Sequence, residues 1–64
     1  MSNDILAYLA DKIRDEAQVI LADLATGRAK DYAEYKHSTG VLRGLDIADS
    51  LVRDLIERME KDDD

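Results

Sequence analysis

Residues 25–34 read ATGRAKDYAE, and this short run decides the fold. Gly27 is a natural residue to end a helix, because glycine enters the left-handed conformation without steric strain. Asp31 is a natural residue to start one, and Glu34 follows it at the spacing of a capping box. Only Gly27–Lys30 separate the two signals. A connection this short favours two antiparallel, neighbouring helices.

The residues on both sides support that reading. Upstream, Leu6, Leu9, Ala10, Ile13, Ala17, Ile20, Leu21 and Leu24 recur at helical spacing, with polar residues between them. They predict a first helix over about residues 4–26. Ser2 or Asn3 is available as its cap, and Asp4 lies near the positive end of its dipole. Downstream, Val41, Leu45, Ala48, Val52, Leu55 and Met59 form the clearest stripe of a second helix, over about residues 32–61. Asp49–Arg53, Asp54–Arg58 and Glu57–Lys61 place an acid four residues before a base, an arrangement expected on an exposed face. The acidic end, Asp62 to Asp64, sits at the negative end of the dipole and is expected to fray. The second helix is the longer one. It therefore either overhangs its partner or bends at Ser38-Thr39-Gly40, where weak helix formers cluster; a continuous helix is preferred.

The expected fold is all-α: one domain over residues 1–64, built as a two-helix antiparallel hairpin. A single hairpin does not use all its apolar residues. Leu42, Ile47, Leu51 and Ile56 flank the stripe of the second helix, and Ile5 and Val19 lie off that of the first. Exposed aliphatic surface of this extent marks an interface. Chains this short also bury modest cores, and the absence of cysteine rules out a disulfide staple. The expectation is a homo-oligomer, most simply two hairpins forming a four-helix bundle, or docking on a larger protein.

The charge narrows the choice of partner. A net charge of −6 argues against direct nucleic-acid binding and against an anionic membrane surface. No apolar run is long enough to span a bilayer. The start, MSNDILAYLADK, lacks the basic and apolar blocks of a secretory signal. There is no zinc pattern, calcium loop, phosphate-binding glycine loop or nucleophile elbow, so no metal, cofactor or catalytic site is expected. His37 has only Glu34 as a nearby candidate ligand on the helix and reads as a structural side chain.

The unusual side chains cluster just after the loop. Gly40 and Gly44 share a helix face, where small residues permit a close crossing; the alternative is that Gly40 relaxes a kink. Tyr32 and Tyr35, with Lys36 and Arg43, suit either a partner contact or closure of the loop end of a bundle. Arg28–Arg43 carries four bases and two acids, whereas residues 54–64 carry six acids and two bases. The candidate partner or oligomer surface comprises Tyr32, Tyr35, Lys36, Gly40, Val41, Arg43, Gly44, Leu45, Ala48, Leu51, Val52 and Leu55.

The run DYAEYKHSTGVLRGLDIA, starting at Asp31, resembles the core of a family of small tailed-bacteriophage proteins, often encoded among head and structural genes. Asp31, Tyr32, Ala33, Glu34, Tyr35, Lys36, Gly40, Val41, Arg43, Gly44 and Leu45 carry the resemblance. It implies a phage protein in the host cytoplasm during infection, with the virion as a further destination. It also suggests a structural or assembly role on a head, portal or scaffold component. It implies no site chemistry. The alternative function is an acidic inhibitor of a host protein, of the anti-defence or nucleic-acid-mimic type, presenting carboxylates to a basic target.

Overall fold

The computed structural model describes residues 2–62. Helix α1 spans Ser2–Ala25 and helix α2 spans Tyr32–Asp62. They fold back on each other as an antiparallel hairpin measuring 50 × 14 × 12 Å. Helix α1 starts two residues before the expected residue 4 and ends one residue before Thr26. Cap contacts by the Ser2 or Asn3 side chains lie outside the described residues. Helix α2 continues through Asp62, one residue past the expected end. The expected fraying of Asp63 and Asp64 lies outside the described residues.

The turn forms as its residues dictate. Gly27 has φ of 73°. Its N–H donates to the Leu24 carbonyl at 3.1 Å, and the Arg28 N–H donates to the Asp23 carbonyl at 3.0 Å. This pair of bonds is a Schellman cap, and it satisfies two carbonyls at the end of α1. The Thr26 hydroxyl lies 3.1 Å from both the Ala22 and Asp23 carbonyls. At the start of α2, the Glu34 N–H donates to Asp31 Oδ1 at 2.8 Å. The Tyr35 N–H donates to the Asp31 carbonyl at 3.0 Å, closing the first helical turn. The Glu34 carboxylate reaches back to the Lys30 N–H at 3.3 Å, one residue earlier than in an ideal capping box.

Packing follows a heptad-like seam. Leu6, Ala10, Ile13, Ala17, Ile20 and Leu24 of α1 alternate at spacings of four and three, and all are buried or half-buried. On α2 the matching seam is Leu42, Leu45, Asp49, Val52, Ile56 and Met59, with Ala48 at its edge. The expected α2 stripe is therefore partly corrected. Leu45, Ala48, Val52 and Met59 do pack toward α1, but Val41 and Leu55 remain 39% and 47% exposed. Leu42 and Ile56, expected at the flanks, take their places. The two stripes lie one residue apart, about 100° round the helix, and both are aliphatic. The register with α1 chooses between them. Leu9 and Leu21 of α1 likewise flank the seam, at 46% and 49% exposure.

Ion pairs fix that register. Arg14 lies 3.3 Å from Asp49, and Arg53 lies 3.5 Å from Asp11. Carried to the turn, this register puts Ala25 opposite Ser38. The first six residues of α2, Tyr32–His37, therefore project past the end of α1. This overhang accounts for the unequal lengths, and α2 passes through Ser38-Thr39-Gly40 without interruption. Ser38 and Thr39 are half-buried in the seam, and the Thr39 hydroxyl donates to the Lys36 carbonyl at 2.9 Å. Gly40 lies within one uninterrupted helix.

Candidate functional site

The hairpin buries little. Among the described residues only Ala10 is fully buried. The candidate surface residues separate into four places around α2.

Tyr32, Tyr35 and Lys36 occupy the overhang. Tyr32 is 73% exposed, and its ring centroid lies 6.5 Å from that of Tyr35. The Lys36 ammonium sits 5.9 Å from the Tyr32 centroid, within cation–π range. The tyrosines lie near each other along one helix beside the loop. His37 is exposed while Ser38 is half-buried, so the two side chains diverge. Among the described residues no group of three His, Cys, Asp or Glu side chains converges in a way that could hold a metal ion.

Leu45 and Val52 belong to the seam with α1. Both are half-buried there, and Leu45 also lines an open groove beside the seam.

Arg43 lies on the polar side. There an open groove of about 480 Å³ is bounded by Arg14, Gln18, Leu21, Arg43 and Asp46. The hub of this side is Asp49, whose side chain is only 13% exposed although it occupies a seam position. It accepts from Arg53 Nε at 2.9 Å and from Arg14 Nη2 at 3.3 Å. Asp11 extends the chain through Arg53 at 3.5 Å. The expected Asp49–Arg53 pair therefore forms, but inside the seam and not on an exposed face. Glu57–Lys61 forms at 3.7 Å on the surface, whereas Asp54–Arg58 makes no ion pair. One signal did mark Asp49 as inward-facing. It falls on the four–three spacing of Leu42, Leu45, Val52 and Ile56 and is the polar residue that hides that stripe.

Gly40, Val41, Gly44, Leu51 and Leu55 remain on the outer faces of α2, with the half-buried Ala48 at the border between them and the seam. Leu51 is 65% exposed, and nothing lies within 4 Å of a Cβ built on either Gly40 or Gly44. The close crossing expected at the glycines is not made within the hairpin. Any such contact belongs to another chain.

The fold and these surfaces define an antiparallel helical hairpin with an open aliphatic side. Among the described residues no helix is long and apolar enough to cross a membrane. Compared with known protein families, curated proteins and solved structures, the chain matches none of them.

Proposed function

We propose that the chain is a non-enzymatic structural or assembly protein of a tailed bacteriophage. It acts by helix–helix contact, through oligomerisation or docking on a head, portal or scaffold component. The observation that supports this reading is the uncovered aliphatic surface. Val41, Leu51, Leu55, Ile5 and Leu9 stay exposed, and among the described residues only Ala10 is fully buried. Water-facing aliphatic surface of this kind is stabilised when another helix covers it. The phage assignment rests on the resemblance carried by Asp31–Leu45.

The net charge of −6 favours the acidic inhibitor as the second reading. Mass spectrometry of purified phage particles separates the two. The assembly reading expects the chain at a fixed copy number per particle or per assembly intermediate. Absence from both, with a basic host protein held at low salt and released at high salt, overturns it in favour of the inhibitor.

A further inference from the structure

Two stripes run along α2, and only one is used. The first is the seam against α1. The second is Val41, Gly44, Ala48, Leu51 and Leu55, which repeats the same alternation of three and four residues. At about 100° per residue, its axis lies roughly 85° round the helix from the first. That is close to the right-angle relation by which a bundle helix touches two neighbours. Antiparallel geometry brings Ile5 and Leu9 of α1 to this same side, 73% and 46% exposed. Charged residues make up 38% of the chain, yet none occupies the second stripe from Val41 to Leu55. The cross-helix ion pairs all lie on the other side.

We infer that a second copy of this chain covers this stripe, with the two α2 helices packed antiparallel about a two-fold axis at Ala48. The inference deepens the assembly reading above and rests on it. Three observations select this occupant.

The first is shape. In the antiparallel register centred on Ala48, Gly44 faces Leu51 of the second copy and Val41 faces Leu55. Each large side chain meets a smaller one, and Ala48 meets itself. A stripe complementary to its own reverse suits an isologous two-fold contact.

The second is charge. The same register lays residues 34–43 of one copy, with Lys36 and Arg43 against Glu34, alongside residues 53–62 of the other. Residues 53–62 there carry Asp54, Glu57, Glu60 and Asp62 against Arg53, Arg58 and Lys61. A parallel pairing would set like ends together.

The third is area. The chain exposes 5181 Å². A compact monomer of its 7.2 kDa exposes about 4,100 Å². The excess, about 1,000 Å², is comparable with the roughly 800 Å² that each partner contributes to a standard interface. On α1 the corresponding flank alternates Ile5, Leu9 and Val19 with Lys12, Glu16 and Asp23, so α2 carries the centre of the contact.

The chain has no cysteine, so one introduced thiol reports alone. Full-length Ala48→Cys and Asp46→Cys chains, the latter on the polar side, are oxidised with diamide. Their products are read on a non-reducing gel beside light scattering of the unmodified chain. Ala48→Cys is expected to convert to a disulfide-linked dimer, because only the two-fold position brings identical Cα atoms within about 7 Å. Asp46→Cys is expected to stay monomeric on the gel. Gly44→Leu then tests the stripe without harming the hairpin, since the space over Gly44 is open and leucine is the better helix former. It should weaken the dimer by roughly 10- to 100-fold through overpacking against Leu51. A dimer that does not crosslink at residue 48 overturns this register and leaves the assembly reading standing. A poorly helical monomer overturns the second copy and points to another protein as the cover. A well-folded helical monomer overturns both.

Discussion

The two long sides of the hairpin begin from the same seam and end differently. On the polar side, charges from α1 and α2 find each other: Asp11 meets Arg53, and Arg14 meets Asp49. That side is tied across the two helices within one chain, beside the open groove bounded by Leu21 and Arg43. On the aliphatic side, Val41, Leu51 and Leu55 stay 39%, 65% and 47% exposed, and the space over Gly44 is open. Ion pairs are directional and fix a register between specific residues. Aliphatic burial is non-directional and rewards any cover. The polar side therefore ties α1 to α2, and the aliphatic side is the one the proposed second copy would cover.

Substitutions on the two sides should separate these roles. The largest effect is expected at Leu51→Glu. This residue is 65% exposed, so the hairpin tolerates a carboxylate, but a covered stripe does not. Association should weaken by at least roughly 100-fold, as read by sedimentation over a concentration series. Next is Asp49→Ala, which removes the shared acceptor of Arg14 and Arg53. Arg53 then keeps only Asp11, which lies 3.5 Å from its Nη2 without a hydrogen bond. Stability should fall by about 1–2 kcal/mol in urea denaturation at fixed chain concentration. Gly40→Ala should act in the opposite direction. The space above Gly40 is open, and alanine in a helix interior is favoured by about 0.5–1 kcal/mol, visible as a higher melting temperature. The smallest effect is expected at Glu57→Gln. Its pair with Lys61 is a surface contact at 3.7 Å, so the melting curve should change by no more than about 0.5 kcal/mol.

Much of the fold was legible because local chemistry determines it. Gly27 and Asp31 marked the turn, and they act there as cap residues in the structure. The α1 stripe was legible because its flanking positions are mostly polar. The α2 seam was only half legible. Val41 and Leu55 are as apolar as Leu42 and Ile56, and a helix with two aliphatic stripes gives no internal reason to prefer one. Only α1 breaks the tie, through Arg14 and Asp11. Asp49 added to the ambiguity, because a carboxylate within a stripe reads as an exposed face until its arginine partners are in place. The glycines followed the same pattern. Their spacing suggests a close approach, but α1 makes none, and the space over both glycines is open.

The chemical character of the candidate surface was legible residue by residue, but its division was not. Sequence proximity grouped Tyr35, Arg43 and Leu45 together. The wheel positions and the overhang place them at the loop end, on the polar side and in the seam respectively. Of the twelve candidate residues, Val41, Gly44, Leu51 and Leu55 lie on one outward side, with the half-buried Ala48 at its edge with the seam.

The most direct test of the central claim is the molar mass of the unmodified chain by light scattering, with circular dichroism on the same sample. A helical species at twice 7.2 kDa is the predicted result, because the aliphatic side is then covered by a second copy. A helical, cooperatively melting species at 7.2 kDa would contradict it, because the hairpin would then be stable with its aliphatic side in water.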